Sequence, residues 1–177
     1  PAGAQPMSSA SGRYVIAYNG EMYNFRELRA ELSAAGAVFR GGSDTEVMLA
    51  AIESWGLAAA VKRLAGMFAF ALWDRESRTL SLVRDRFGIK PLYWCQIGGS
   101  FLFGSELRAL RAAPGWRAEI DRNSLAAYLR WNYIPAPQSI YAGVHKLEPG
   151  CILTVAAGQA PRTEHYWQAR QVVSGAI

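Results

Sequence analysis

Residues 67–85 read MFAFALWDRESRTLSLVRD, and the first seven are apolar without interruption. Successive side chains of a strand point to opposite faces, so a run with no polar face predicts a strand covered on both sides. The polar RESR then breaks the pattern before TLSLVRD, a second strand-like run. KPLYWCQI and SFLFGS follow closely, with GG between them, and the whole segment 67–104 predicts an antiparallel meander. A sheet sandwiched between other layers is the consequence.

Helices are expected on either side of that segment. Asn24 can cap a helix with Glu27 three residues on, its apolar face formed by Phe25, Leu28 and Leu32 and its end near Gly36. Ser43 with Glu46 predicts a second helix, with Val47, Ala51, Ile52 and Trp55 facing inward and Gly56 stopping it. SELRALRAA and DRNSLAAYLRWN read as two more, the latter capped by Asp121, and VHKLEPGCILTV reads as a late hairpin turning at Pro149 and Gly150.

Composition excludes several classes. The chain has 177 residues, 51% of them hydrophobic and 12% aromatic, which suits one domain with a sizeable core. The longest apolar run, Met67 to Trp73, falls far short of the ~20 residues that cross a bilayer. The opening PAGAQPMSSASG has no basic stretch followed by an apolar one, so a cytoplasmic protein is expected. The net charge of +5 comes from scattered Lys and Arg mixed with acids, which predicts a solvated surface and not a nucleic-acid face. Cys95 and Cys151 lie in apolar runs without partners at metal or redox spacing, and His145 and His165 lack close companions in sequence. Buried reduced thiols and no metal are expected. Phosphate-loop, dinucleotide, serine-hydrolase and zinc-protease signatures do not occur.

The stretch YVIAYNGEMYNF, residues 14–25, contains the dipeptide NG between apolar runs. That is a strong signal for a tight hairpin turn, with Val15–Tyr18 as the strand entering it and Met22–Tyr23 as the strand leaving it.

NGEMYNFRELRAEL, GGSDTEVMLAAIESWG, LAGMFAFALWDRESRTLSLVRDRFGIKPLYW, FLFGSELRAL and YIPAPQSIYAGVHKLEPGCIL resemble, in order and spacing, the glutaminase domain of glutamine-hydrolysing asparagine synthetases. The likeness runs from about Pro1 to Trp167. It implies an α+β, four-layer αββα N-terminal-nucleophile hydrolase fold with two stacked, mostly antiparallel sheets. It also implies release of ammonia from glutamine by an N-terminal cysteine, and transfer of that ammonia to an ATP- and Mg-dependent synthetase domain that amidates a carboxylate. By the resemblance, Asn19 offers its side-chain amide and Gly20 its backbone N–H to the developing oxyanion, the NG turn being the way that hole is built. Glu21 and Asp44 are the expected ligands of the substrate ammonium. For Asp44 the residues alone equally support an acidic first helical turn. Arg84, Asp85, Arg86 and Lys90 in RDRFGIK are expected to be structural, with Arg84 and Asp85 as a mutual ion pair.

The chain departs from the family pattern at its start. PAGAQPMSSASGRY matches an internal loop of the family's domain, so the N-terminal portion with its nucleophilic cysteine and a carboxylate-clamping arginine is expected to be missing. Cys95 and Cys151 carry no free α-amine and cannot replace that nucleophile. Residues 1–167 then form a partial amidotransferase domain, and 168–177 begin a linker to an absent synthetase domain. The implied partners are glutamine and that domain, with homo-oligomerisation open, and this chain itself carries no cofactor. Two classes remain: an enzyme fragment whose parent amidates aspartate, a sugar acid or another carboxylate, and a non-catalytic scaffold that keeps the fold alone. Asn19, Gly20, Glu21 and Asp44 together favour the first.

Overall fold

The computed structural model describes residues 3–175. The chain begins with β1 (Met7–Ser8), β2 (Tyr14–Met22), α1 (Phe25–Ala34), α2 (Asp44–Trp55) and α3 (Leu57–Arg63). It continues with β3 (Gly66–Asp74), β4 (Thr79–Arg84), β5 (Tyr93–Ile97), β6 (Ser100–Gly104), α4 (Leu107–Arg111) and α5 (Arg122–Trp131). The last elements are β7 (Val144–Lys146), β8 (Cys151–Ala156), β9 (Arg162–His165) and α6 (Ala169–Val173). No described helix is long and apolar enough to cross a membrane.

Two antiparallel sheets result, a six-stranded one in the order β1-β2-β3-β4-β8-β9 and a three-stranded one in the order β6-β5-β7. β3 explains the layering. Its even residues Phe68, Phe70 and Leu72 pack with Leu28 and Leu32 of α1, Val47, Met48, Ala51 and Ile52 of α2, and Val61 of α3. Its odd residues Ala69 and Ala71 face the other way, into a core with Leu82, Leu153, Leu92 and Leu147 that Trp94 and Phe101 of the small sheet complete. Small alanines on that face let the second sheet approach, while the aromatic face fills the space under the helices. Beyond the small sheet, Cys95 and Val144 pack against Leu107 and Leu110 of α4. The order is helix, sheet, sheet, helix, and the doubly buried strand is as the apolar run requires.

Local signals explain the helix starts unevenly. The Ser43 hydroxyl accepts from the Glu46 amide at 3.3 Å, as expected, but the Glu46 carboxylate accepts from the amides of Arg40 and Gly41 instead of returning to Ser43. Asp121 accepts from the Ser124 amide at 2.6 Å and caps α5. Asn24 stands at the cap position of α1 without capping it. Its side chain donates to Arg63 O and accepts from the Ala65 amide, fastening the loop that leads into β3.

The predicted meander divides. β3 and β4 pair in the large sheet and β5 and β6 in the small one, so the chain changes layers between them. The predicted late hairpin also fails to pair with itself. β7 joins β5 and β8 joins β4, with Pro149 and Gly150 turning the chain from one sheet to the other. In both cases the turn is real, and the partner is chosen by the two-sheet core.

Candidate active site

β2 runs through Asn19 and Gly20 without turning. Every residue from Tyr14 to Met22 has a partner on β3, Asn19 opposite Ala69 and Gly20 opposite Phe68, and the chain turns only at Tyr23 and Asn24. The NG hairpin expected from sequence is therefore absent, because nine residues of pairing outweigh a two-residue turn preference. Gly20 is required for a different reason. A Cβ there would sit on the Met67 carbonyl oxygen and 2.7 Å from Phe68 Cα. On the facing strand, a Cβ on Gly66 would sit on the Glu21 carbonyl oxygen. The two backbones come closer here than side chains allow.

The register also fixes where the amides point. Tyr23 N–H donates to Ala65 O at 2.7 Å and Arg75 N–H to Arg13 O at 3.0 Å, so the odd residues of β2 bond to β3 and the even amides face the opposite edge. β1 covers that edge only at Val15 and Ile16. Further along, Tyr18 N–H donates to Gln5 Oε1 at 2.5 Å and Met22 N–H donates to Asp44 Oδ2 at 3.0 Å. The Gly20 amide lies midway between these two capped amides, on the stretch of edge that no strand among the described residues covers.

Asn19 and Glu21 share one face of β2, both exposed. Asn19 Nδ2 donates to Ser105 Oγ at 3.1 Å, across a hollow of about 180 Å³ lined by Gln5, Ala17, Phe103 and Leu92 among others. The Glu21 carboxylate makes no hydrogen bond or ion pair among the described residues. Asp44 is the first residue of α2, held there by the Ser43 cap, where the positive end of the helix favours a carboxylate. Its Oδ2 accepts from the Tyr18 hydroxyl at 2.9 Å as well as from Met22 N–H, while Oδ1 has only a long contact, 3.4 Å, from the Thr45 hydroxyl. Burial, then the Asp44 hydrogen bond and the charges of Asp44 and Glu21, push the Tyr18 phenol well above its ordinary range. Both carboxylates therefore lie near enough to Tyr18 to act on its phenol. Along this short stretch the strand carries a main-chain donor at Gly20, a side-chain amide at Asn19 and a carboxylate at Glu21, with Asp44 bonded to the next free amide, Met22.

Ser105, Tyr18 and Gln5 were not singled out by sequence reasoning. Their signal is a long-range one, since Ser105 and Asn19 meet only when the two sheets stack.

The RDRFGIK loop is structural, but not through the expected ion pair. Arg84 donates to three carbonyls, Lys90 O at 2.8 Å, Leu147 O at 2.6 Å and Gly88 O at 2.7 Å. The Asp85 carboxylate, 1% exposed, accepts from the amides of Phe68, Phe87, Ile89 and Lys90 at 3.0–3.2 Å. Each charge is spent on backbone that the loop leaves without partners.

Cys95 and Cys151 are both free, buried thiols pushed up by burial, Cys151 to about 11. Cys151 does have a partner that spacing in sequence concealed. β8–β9 pairing sets His165 directly opposite it, with Nδ1 3.0 Å from Sγ, and Glu148 brings a carboxylate oxygen into the same group.

A profile of the glutamine amidotransferase domain matches residues 1–167. The asparagine synthetase [glutamine-hydrolyzing] 1 of Bacillus subtilis is 43% identical over 86% of this chain and 24% of its own length. A putative asparagine synthetase [glutamine-hydrolyzing] of Mycobacterium bovis is 42% identical over 93% of this chain and 26% of its own. The chain therefore spans about a quarter of the curated relatives it matches. Among solved structures, glutamine phosphoribosylpyrophosphate amidotransferase from B. subtilis superposes with a TM-score of 0.63 at 21% identity, over 93% of this chain and 32% of that one. A glutamine aminotransferase class-II domain protein from Silicibacter pomeroyi gives 0.52 at 18% identity, over 92% and 70%. These two share the fold, with its two antiparallel sheets between helices.

Proposed function

Since the chain belongs to the glutamine amidotransferase domain family, we propose that it is the glutamine-hydrolysing part of a longer asparagine synthetase. The names of its relatives support this reading. The observation that supports it is the stretch of β2 that no described strand covers, which carries Asn19, Gly20 and Glu21 in succession and ends at the Met22 amide bonded to Asp44.

Each residue has a role in that reaction. Attack on the glutamine side-chain amide places negative charge on its oxygen, and fixed donors aimed at that oxygen lower the barrier. Gly20 N–H is held still by nine residues of pairing on one side and capped neighbours on the other. Asn19 is oriented by Ser105. Glu21 and the Oδ1 side of Asp44 take the substrate ammonium, whose burial needs a charged partner. The attacking thiol is neither Cys95 nor Cys151, since both are buried with thiols held protonated. Residues 1–167 form the amidotransferase domain, and 168–177 lead toward a synthetase domain in which ATP and Mg²⁺ activate the aspartate carboxylate that receives the ammonia. Of that lead, 176–177 lie outside the described residues, as do Pro1 and Ala2 of the domain.

The test is Asn19→Ala in the full-length protein. Glutamine hydrolysis should fall roughly a hundred- to a thousandfold, the effect of losing one oxyanion donor, while synthesis from free ammonia is retained. Near-normal hydrolysis by a folded variant refutes the assignment.

A further inference from the structure

We propose that Glu148, Cys151 and His165 form a Zn²⁺ site where the chain passes from the small sheet to the large one. It lies apart from the Asn19–Asp44 site and does not depend on glutamine chemistry.

Three observations converge. The donors are a thiol, an imidazole and a carboxylate, the set that zinc takes, and their ligating atoms all lie within 4.8 Å of one another. Cys151 and His165 are direct cross-strand partners, so their side chains share one face of the sheet. A tetrahedral ion with ordinary Zn–S and Zn–N bonds holds the two atoms about 3.5 Å apart, so the present 3.0 Å has to open by about half an ångström. His165 is exposed and can move that far.

The backbone that carries the donors is fixed before any ion arrives. Leu147 N–H donates to Leu92 O at 2.9 Å, Gly150 N–H to Asp85 O at 2.9 Å and Tyr166 N–H to Gly150 O at 2.9 Å. Gly150 has a φ of +66°, and a Cβ there would sit on the Trp167 carbonyl oxygen, so the turn between Glu148 and Cys151 is tightly seated. A site built on pinned backbone gives up little freedom on binding. His165 is exposed and borders an open hollow of about 570 Å³ shared with Phe87, Pro149 and Trp167, so water reaches the imidazole side of the site.

Charge is balanced. As the metal–sulfur bond forms, Cys151 releases its proton to solvent, and thiolate plus the Glu148 carboxylate neutralise a divalent ion. Arg84, held by three carbonyl oxygens, lies near enough to Cys151 to favour the thiolate. Without an ion, burial and the Glu148 charge keep the thiol protonated at about 11.

The experiment titrates the metal-free chain with Co²⁺ as a spectroscopic probe and displaces it with Zn²⁺. A near-ultraviolet thiolate-to-cobalt band should appear, saturate at about one ion per chain and vanish on adding Zn²⁺. Cys151→Ser should abolish it, and Cys95→Ala should leave it intact. His165→Ala and Glu148→Gln should each weaken binding at least about tenfold. Thermal unfolding of the metal-free variants checks that each folds, and Zn²⁺ should raise the midpoint of the parent chain but not of Cys151→Ser. No band, a band that survives Cys151→Ser, or undiminished binding by a folded His165→Ala overturns the proposal. Because no readout uses glutamine, failure here leaves the amidotransferase reading unaffected, and the reverse also holds.

Discussion

Asn19 donates to Ser105 across 3.1 Å, joining β2, where it forms the edge of the large sheet, to the end of β6 in the small one. In the proposed reaction that amide meets the oxyanion at one angle, and this bond is what would hold it there. Ser105→Ala should lower turnover in glutamine hydrolysis by about two- to tenfold, the worth of one neutral hydrogen bond, with KM unchanged. Ser105→Thr should restore it. Steady-state kinetics on the full-length protein decide the matter, and a change in KM alone would count against a positioning role.

Asp44 serves two masters, and its variants can separate them. Asp44→Asn keeps an oxygen for Tyr18 and Met22 but removes the charge proposed to hold the substrate ammonium. The apparent affinity for glutamine should fall about ten- to a hundredfold, as expected for losing a charge-assisted bond of roughly 1.5–3 kcal/mol. Ammonia-dependent synthesis should stay the same. Lower thermal stability with unchanged glutamine kinetics would instead make Asp44 a helix-start residue only.

Gly20→Ala tests close approach against turn geometry. Its Cβ would meet the Met67 carbonyl oxygen and Phe68 Cα, both backbone atoms that cannot step aside. A loss of roughly 1–3 kcal/mol or more is expected in urea unfolding, from overpacking alone. An unchanged midpoint would show that the two strands tolerate separation at this point.

Asp74 gives a pH signature distinct from the site. The Arg13 guanidinium, donating at 2.8 and 3.0 Å, holds its carboxyl at about 2, below the ordinary value of 3.8. A depressed carboxyl stabilises the fold above its unfolded value and stops doing so as pH falls through the folded one. The unfolding midpoint should therefore drop between about pH 4 and pH 2, and the drop should shrink in Asp74→Asn. An equal drop in both proteins would place the acid sensitivity elsewhere.

Patterns that act over a few residues were legible in the sequence. The two-faced β3 announced its burial, and Ser43 and Asp121 announced their helices, because strand alternation and capping are local. The proposal of Asn19, Gly20, Glu21 and Asp44 as a site came only from family resemblance. Contacts that need the finished fold were not. Asn24 abandons its cap for Arg63 and Ala65, the short helix α3 gave no start signal, and Arg84 and Asp85 ignore each other in favour of distant backbone. The NG dipeptide misled for the same reason, since a turn preference is decided locally and a nine-residue register is not.

The two passages between sheets, after β4 and after β7, are tied to each other. Gly150 N–H reaches Asp85 O, and Arg84 reaches Leu147 O, so each crossing is bonded to the other. Neither sheet can peel away while its neighbour persists, because the first crossing to loosen releases the second. Loss of structure should be all-or-none, with amides in the small three-stranded sheet exchanging with solvent no faster than those at the centre of the large one.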